Sequence, residues 1–385
     1  MYRQLNGRGR ILRSSISLTI LLFTICVVTS LLTTLSNNSE RAGKREINVP
    51  KTAIANKGQH LSEHPLWVKQ SLTYVPVPVV SAWEERRYLV VIGIPSIDLD
   101  VRRRRRDLQR AACWTYAGVA VRANGFSGEM LPLYILARHP ENGYTYTKAL
   151  VEEATQWSDI LTLPMNEGRP SGRKRVGQGG KWGIDAEIGM SRKTFLWFDM
   201  SVCLFPYAPY IAKADDDMFL RVPQYLADLR NLPRRGLYWG TIDVLSVQGF
   251  RFNYAYGACY TLGRDVAERF VSYKPLRTII HVPYTAIRDE EFQSLCVMVE
   301  DAMVGITLRR AMYHTNITYV HEPKCSFHDV HAGTTLGAVT KSSIMVHHVN
   351  ESDYNELRRR FNNEKNILHR SLTGSQGPLR EMSCL

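Results

Sequence analysis

The chain has little of what marks small zinc-binding or repeat proteins. Its 385 residues contain no Cys-x-x-Cys pair and no internal repeat, which argues against a zinc ribbon and against a solenoid. Acidic residues are also scarce relative to basic ones, 36 against 49, and the net charge is +13. A nucleic-acid binder would explain this excess, but the basic residues fall into separate clusters. The length and a 44% hydrophobic content suffice for one large α/β domain or two small ones.

Charged residues are absent from residues 14–39. Twenty mostly apolar residues can cross a bilayer as a helix, so 14–35 is predicted to be an uncleaved transmembrane signal anchor. A cleaved signal peptide is the alternative, although its apolar region is normally shorter. An anchor would divide the chain into a cytoplasmic tail (1–13), the span, an irregular proline-containing stem (36–85), a folded luminal domain (86–370) and a C-terminal tail (371–385). The cysteines outside the span are even in number, which permits disulfides.

Apolar runs alternate with helical patterns from residue 86 onward. Strands are predicted at 88–94, 131–136, 159–163, 210–214 and 236–242, and helices at 107–121, 146–157, 185–204, 223–231, 301–313 and 353–363. This alternation favours an α/β fold with helices flanking a mainly parallel sheet. The glycine-rich, basic stretch 164–183 is predicted to be a surface loop or an insertion. Ligands of such folds bind beyond the carboxyl ends of the strands.

Three consecutive carboxylates, Asp215, Asp216 and Asp217, follow the predicted strand 210–214. Neighbouring like charges repel, and a bound divalent cation would relieve that repulsion. Carboxylate oxygens suit Mg²⁺ or Mn²⁺, which often share their coordination with a substrate phosphate. Lys213 would offset the charge or contact the phosphate. A solvated acidic turn is the alternative, and it is the better interpretation of an isolated Asp-x-Asp motif.

Two later segments supply candidates for proton transfer and metal binding. Glu300 and Asp301 open a predicted amphipathic helix, where the helix dipole alone favours carboxylates. The functional interpretation is a general base that takes a proton from an attacking hydroxyl. His347 ends an apolar run and would supply a nitrogen ligand to the cation, although strand-end histidines are more often structural.

Arginines and tyrosines supply candidates for binding the substrate. Arg110 and the arginines at 102–106 suit phosphate, because a guanidinium group forms paired hydrogen bonds with it. A solvated basic face is the alternative. Tyr254 and the other tyrosines around Gly257 would pack against a sugar, or they belong to the core.

Taken in order, these segments resemble the β1,3-glycosyltransferase family of the secretory pathway. That family includes β1,3-galactosyltransferases, β1,3-N-acetylglucosaminyltransferases and the Fringe enzymes, and the resemblance is strongest to its trypanosomatid branch. Three features depart from the family pattern: Arg110 lies one residue further from Trp114 than in typical animal members, Cys259 stands in place of a second glycine, and Asn253 stands in place of a proline. The matching segments lie at 110–114, 152–163, 193–203, 213–219, 254–260, 300–308 and 345–347.

The resemblance implies a Rossmann-like GT-A fold, a UDP-sugar donor, Mn²⁺ with Mg²⁺ as the alternative, and inversion at the anomeric carbon. It implies that Asp217 and His347 bind the metal and that Asp301 is the catalytic base. It further implies donor contacts from Asp215, Asp216, Arg110 and Lys213, and sugar or acceptor contacts from Glu300, Tyr254 and Gly257.

We therefore expect a type II Golgi membrane protein with a luminal catalytic domain. The expected activity is hexosyl transfer of galactose or N-acetylglucosamine from a UDP-sugar to a glycan on a glycoprotein or glycolipid, through a β1,3 linkage. A catalytically inactive relative that acts as a luminal glycan-binding protein is the alternative. No nucleic-acid partner is expected, because the basic runs lack interleaved aromatic residues and one of them flanks the predicted anchor.

Overall fold

Strands of the described chain assemble into one large mixed sheet and one small one. The computed structural model describes residues 64–174, 180–312, 317–363, 366–374 and 378–384, which all belong to one compact unit, Lys57–Leu385. The strands are β1 (Val90–Pro95), β2 (Met130–Arg138), β3 (Ile160–Asn166), β4 (Tyr210–Ala214), β5 (Met218–Leu220), β6 (Leu237–Val247), β7 (Phe250–Gly263), β8 (Thr318–His321), β9 (Phe327–Asp329), β10 (Met345–His347), β11 (Leu372–Thr373) and β12 (Leu379–Met382).

Helices cover the sheet and connect its parallel strands. They are α1 (Leu66–Ser71), α2 (Val77–Glu85), α3 (Asp100–Ala112), α4 (Lys148–Trp157), α5 (Ile184–Leu204), α6 (Val222–Asn231), α7 (Arg264–Ser272), α8 (Lys274–Ile279), α9 (Asp289–Ser294), α10 (Glu300–Ala311) and α11 (Asp353–Arg360). The predicted helix 185–204 and strand 210–214 agree with α5 and β4 to within one residue.

The large sheet has the strand order β11-β12-β8-β6-β7-β4-β1-β2-β3 among the described residues. Strands β4, β1, β2 and β3 run parallel, whereas β7 is antiparallel to both β4 and β6. The sheet is therefore mixed, and the predicted pattern missed β7. The loop-like sequence around Gly257 forms a strand because its backbone pairs with a neighbour on each side.

A separate sheet of three strands, in the order β5-β10-β9, brings together residues that are far apart in the sequence. Its register places His347 of β10 opposite Met218 of β5 and opposite Asp329 of β9. Because Met218 directly follows Asp217, this small sheet carries the end of β10 to the acidic triplet.

Two helices, α1 (Leu66–Ser71) and α2 (Val77–Glu85), lie where an irregular stem, 36–85, was predicted; residues 36–63 of that stem lie outside the described residues. Helices α1 and α2 bury Val68 and Trp83, and the Trp83 ring lies 5.7 Å from that of Phe126. Two of the prolines that indicated a stem, Pro65 and Pro76, are instead the N-cap residues of α1 and α2. Proline is well tolerated in that region because it precedes the intrahelical hydrogen bonds.

The segment predicted as a C-terminal tail, 371–385, is also folded over its described part. It forms β11 and β12, and β12 pairs with β8 of the large sheet. Met382 is buried, and a disulfide joins Cys384 to Cys325. The packed domain therefore extends beyond residue 370.

The membrane-anchored fold needs correction. The predicted span 14–35 lies outside the described residues, and no helix within the described ranges has the length and apolar character needed to cross a bilayer. Helix α5 has 21 residues, but it carries charged side chains such as Asp185, Lys193 and Asp199. We therefore replace the predicted GT-A fold behind a transmembrane helix with a mixed α/β fold, compatible with a Rossmann-like architecture, and withdraw the Golgi membrane localisation.

Helix α5 packs on the sheet through a tight contact at Gly93 of β1. The Trp197 indole is buried there, and its Nε1 donates a hydrogen bond to the Ala212 carbonyl at 2.8 Å. A Cβ atom at Gly93 would lie 2.3 Å from two carbons of the indole. Only glycine leaves room for this ring, so the contact fixes how α5 sits above β1 and β4.

We expect Gly93→Ala to destabilise the protein by about 3 kcal/mol, because overpacking forces the indole or the strand to move. Denaturant unfolding followed by circular dichroism would measure the change. A matched double variant, Gly93→Ala with Trp197→Phe, should recover part of the loss, since the two sites are in contact. Strict additivity of the two single changes would contradict this account.

Candidate functional site

A cavity of about 460 Å³ lies at the carboxyl ends of β1, β4 and β10. This is the edge at which ligands bind in α/β folds. The predicted candidates that line it are Lys213, Asp215, Asp216, Asp217, Gly257, Glu300, Asp301 and His347. Sequence positions more than a hundred residues apart therefore meet in one place.

Asp217, His347 and His348 form a group that can hold a metal ion. One ligand atom from each residue lies within 4.8 Å of the others, and Asp217 Oδ1 is 3.1 Å from His347 Nε2. One carboxylate and two imidazoles are a donor set that suits divalent transition-metal ions. The sequence predicted Asp217 and His347, whereas His348 was not among the predicted ligands.

The backbone at His348 explains how two successive histidines reach the same point. Successive side chains of a strand point to opposite faces, which would separate the two rings. His348 instead has a φ of 55°, in the left-handed region, just after β10 ends. The centroids of the two rings are consequently only 3.8 Å apart. Such a conformation is unfavourable for a residue other than glycine, and it often marks a functional site.

The Asp329 carboxylate contacts the Nδ1 atoms of both histidines. Its Oδ1 lies 2.8 Å from Nδ1 of His347 and 3.0 Å from Nδ1 of His348, while Oδ2 accepts hydrogen bonds from Thr335. Burial raises the pKa of Asp329, but its hydrogen bonds to the histidines and Thr335 outweigh this and lower the pKa well below its usual range. A carboxylate in this position fixes the imidazole orientation and increases its basicity toward a metal.

The charges of Asp217 and His347 stabilise each other. Burial opposes ionisation of Asp217, but His347 outweighs this and lowers the pKa of that carboxyl strongly. Burial likewise opposes protonation of His347, yet Asp217, Asp215 and Asp329 together raise its pKa well above the usual value. A proton on His347 thus balances the carboxylates in the metal-free protein, as a cation would in the metal-bound one.

Lys213 connects the metal group to the second acidic pair. Its Nζ lies 2.6 Å from Asp215 Oδ1 and 3.0 Å from Glu300 Oε2, and it donates to the Gly257 carbonyl at 2.7 Å. Burial opposes the charge on Lys213, but the two carboxylates raise its pKa above the ordinary value. These three groups bind the Lys213 ammonium group, so Lys213 acts as the buried counter-ion of the two carboxylates.

Asp301 and Glu300 differ sharply in their surroundings. Glu300 accepts from the Tyr260 hydroxyl at 2.6 Å and pairs with Lys213, so its oxygens are engaged. The described contacts of the Asp301 side chain include a backbone hydrogen bond from Ala302 but no cationic partner within salt-bridge distance. Loss of hydration, followed by the charge of Glu300, raises the pKa of Asp301 to about 7. Asp301 is therefore suited to exchange a proton near neutral pH.

Asp216 is tied to the β1 side of the cavity. Its Oδ2 accepts from the Ser96 hydroxyl at 2.8 Å, and its Oδ1 pairs with Arg102. The Arg102 guanidinium also lines the cavity, and its Nε has no hydrogen-bond partner in the described structure. Arg102 is thus the arginine that faces the site.

Arg110 does not line the cavity, contrary to its predicted role in donor binding. Its guanidinium pairs with Asp159 and Glu153, at 2.8 and 2.7 Å, and it lies over the rings of Tyr134 and Trp157. It follows Arg102 by eight residues on α3, which places it roughly 12 Å further along the helix axis. Because Arg110 lies away from the cavity and its guanidinium is paired with Asp159 and Glu153, we assign it a structural role.

The tyrosine that lines the cavity is Tyr256 rather than the predicted Tyr254. Both lie on β7, and their rings pack edge to face with centroids 5.7 Å apart. Tyr254 packs against Gly305 of α10, where a Cβ atom would approach it to 2.5 Å. Tyr254 therefore packs behind the cavity wall, and Gly257, which the resemblance implies as a sugar or acceptor contact, forms part of that wall.

Several cavity residues escaped the sequence argument. Because side chains alternate along a strand, His348 is expected to point away from His347, so the sequence did not predict it as a ligand. Asp329 lies in a segment with no recognised motif. Arg102 was predicted only as one of the arginines at 102–106 that suit phosphate, and it lies near the start of α3, the helix that follows β1. Trp182, from the predicted 164–183 insertion, also lines the cavity, and Arg102 lies 5.7 Å above its ring.

The chain matches none of the known protein-family profiles and none of the curated proteins compared with it. The resemblance to β1,3-glycosyltransferases therefore stays a prediction.

We expect Asp329→Asn to weaken metal binding by about 10- to 100-fold, the usual effect of losing a carboxylate that orients a ligand histidine. Calorimetric titration of the metal-free protein with Mn²⁺ would measure it. His331→Ala is the matched control, because His331 pairs with Asp353 at the surface, outside the cavity lining. Equal affinities for wild type and Asp329→Asn would exclude the orienting role.

A second prediction concerns the pH dependence of stability. The folded chain retains the Asp301 proton up to about pH 7, whereas an unfolded aspartate loses it near pH 4. The stabilising contribution is complete below about pH 4 and is lost as the pH rises to about 7. The Asp301→Asn variant has no proton to lose at this position. Its free energy of unfolding, relative to that of wild type, should therefore increase by up to about 1.4 kcal/mol per pH unit between about pH 4 and pH 7.

Denaturant unfolding of the metal-free protein at several pH values would test this, with Asp100→Asn at an exposed position as the control. A constant difference between Asp301→Asn and wild type across the range would show that Asp301 does not hold its proton.

Proposed function

We propose that this protein is a metal-dependent glycosyltransferase that moves a hexose from a UDP-sugar to a hydroxyl group of a glycan, with inversion at the anomeric carbon. The observation that carries the proposal is the pair of opposed acidic groups in one cavity. The pKa of Asp217 is lowered beside two histidines, and that of Asp301 is raised to about 7. Carboxyl groups whose pKa values are pushed apart typically divide into an electrostatic role and a proton-transfer role.

The donor would bind on the side of the cavity formed by β1, β4 and β10. Asp217, His347 and His348 would hold the cation, which when bound supplies positive charge to the leaving diphosphate. Mn²⁺ is our choice, because it accepts both carboxylate and imidazole ligands and because the family resemblance implies it. Arg102 is the arginine among the described residues that line the cavity, and guanidinium groups suit phosphate oxygens, so it replaces Arg110 as the candidate arginine.

Asp301 would receive the proton of the acceptor hydroxyl. A sugar hydroxyl is a weak nucleophile, and a carboxylate within hydrogen-bond reach removes its proton as the new bond forms. Glu300 is unsuited to this role, since Tyr260 and Lys213 occupy its oxygens. Its fixed charge instead helps to raise the pKa of Asp301 toward neutrality.

The sugar and the linkage follow from the resemblance alone. It favours galactose or N-acetylglucosamine as the transferred sugar and a β1,3 linkage to a glycan acceptor. The structure supports the proposal by bringing Lys213, the acidic triplet, the Glu300–Asp301 pair and His347 together in one cavity.

The ligand set favours a second candidate function. Two imidazoles and one carboxylate also bind iron(II) in non-haem oxygenases. We rank this function second, because Glu300, Asp301 and the remaining carboxylates of the triplet have no role in that chemistry. Oxygen consumption by the Fe²⁺-loaded protein, with no UDP release from any UDP-sugar, would reverse the ranking.

The direct test is UDP release by the full-length chain, measured with each UDP-sugar, a mixed panel of glycosides and added Mn²⁺. We expect Asp301→Asn to lower kcat by about 10²- to 10⁴-fold, since it removes the base, while UDP binding in the presence of Mn²⁺ persists. Asp217→Ala should abolish the Mn²⁺-dependent UDP release, because it removes a ligand of the cation. The exposed Asp100→Asn change is the control. Near-normal rates for both cavity variants would refute the proposed roles.

A further inference from the structure

Glycines pack the predicted insertion closely against itself and against the start of α5. A Cβ atom on Gly168 would lie 1.8 Å from the Asp185 carbonyl oxygen, and one on Gly172 would lie 2.1 Å from the Lys181 carbonyl oxygen. Glycine is the residue that permits two backbone segments to approach this closely. The described parts of the insertion therefore form a packed layer, which we call the insertion wall (168–174 and 180–183).

The insertion wall holds Trp182 against the cavity. The Trp182 carbonyl accepts hydrogen bonds from the backbone N–H groups of Ser171 and Gly172, both at 2.8 Å, and the Trp182 N–H donates to Glu187 Oε1 at 2.8 Å. The Trp182 side chain is half-buried and lines the cavity. A backbone fixed in this way pre-organises the ring, which reduces the entropy lost when a ligand packs against it.

Trp182 and the proposed base lie on opposite sides of the acidic triplet. The ring centroid of Trp182 is 5.7 Å from Cζ of Arg102, which pairs with Asp216 on the β1 side of the cavity. Asp301 instead adjoins β7, since a Cβ atom on Gly257 would lie 3.9 Å from Cβ of Asp301. Strand β4, which leads into the triplet, lies between β1 and β7 in the large sheet.

This order of groups indicates which part of a ligand would reach Trp182. In the proposed function, the cation holds the leaving diphosphate beside Asp217, and the sugar carbon that is attacked lies toward Asp301. The nucleoside is attached to the other end of the diphosphate, so it would extend to the β1 side, where Trp182 lies. This step rests on the proposed function.

We propose that the Trp182 indole stacks on the base of a nucleoside diphosphate, so that the insertion wall supplies the nucleoside part of the donor site. A nucleobase has a flat π face, and aromatic side chains bind it by stacking. Trp182 thus adds the nucleoside to the parts of the donor that the cavity recognises.

Lys174 of the insertion wall complements this site. Its Nζ lies 5.3 Å from the Trp182 ring centroid, it lines the cavity, and it has no anionic partner among the described residues. A base stacked on the indole would take the place of the ammonium group on one face of the ring. The long, flexible lysine side chain would then be available to the diphosphate, as a point charge.

The experiment compares wild type with Trp182→Phe, which keeps an aromatic ring, and Trp182→Ala, which removes it. Trp67→Ala is the matched control, because Trp67 is also half-buried and lies outside the cavity lining. The probes are UDP and methyl diphosphate, which carries the same charge without the nucleoside. Each is titrated calorimetrically into the full-length protein with Mn²⁺, and the thermal midpoint of every variant is recorded.

Trp182→Ala should weaken UDP binding by roughly tenfold, the scale of one lost base–aromatic stack, and leave methyl diphosphate binding unchanged. Trp182→Phe should retain most of the UDP affinity, and Trp67→Ala all of it. A tryptophan that only positions Arg102 would instead weaken both ligands equally, and a purely structural one would do so with a lower thermal midpoint. Either result, or wild-type UDP affinity in Trp182→Ala, would overturn the stacking role.

The two proposals fail in different ways. UDP binding that depends on Trp182, without UDP release from any UDP-sugar, would refute the proposed reaction and leave the stacking role intact. Sugar transfer with UDP binding that is insensitive to Trp182→Ala would refute the stacking role alone. Equal affinity of wild type for UDP and methyl diphosphate would also refute the stacking role, whatever the turnover.

Discussion

The buried ammonium group of Lys213 is the interaction on which the site depends. Asp215 directly follows β4, Glu300 opens α10 and the Gly257 carbonyl belongs to β7, and each contacts Nζ within 3.0 Å. Carboxylates buried this close to one another would be strongly unfavourable without a cation among them. Lys213 therefore fixes the distance between the metal-binding group and the Glu300–Asp301 pair, while Asp301 itself has no cationic partner within salt-bridge distance among the described residues.

A second constraint is the register of the small sheet. Pairing of β10 with β5 and β9 places His347 beside Asp217 and Asp329, and the left-handed backbone at His348 turns the next ring to the same side. A shift of one residue would turn His347 to the opposite face, because side chains alternate along a strand. The metal-binding group thus depends on strand pairing more than on any single loop.

The predictable part of the structure was the part encoded locally. Strand β4 and helix α5 have strong apolar patterns, and the rule that ligands gather at strand ends led from β4 to the acidic triplet. What failed depends on tertiary contacts: Pro76 indicates a stem unless Trp83 is known to be buried, and Arg110 suits phosphate unless Asp159 and Glu153 are known to surround it. No local pattern distinguishes Asp329 from any other aspartate.

A disulfide and a buried arginine attach the C-terminal segment to the rest of the domain. The disulfide between Cys325 and Cys384 closes a loop with a sequence separation of 59, a constraint worth about 4 kcal/mol by the chain-entropy estimate. Within that loop, Arg370 is buried against Asp228 and Glu322 and so ties the terminus to α6 and to the end of β8. Cys325 also lies two residues before β9, the strand that ends in Asp329. The disulfide therefore anchors the segment that leads into the strand whose last residue orients both histidines, so a covalent bond near residue 384 supports the geometry of the metal-binding group.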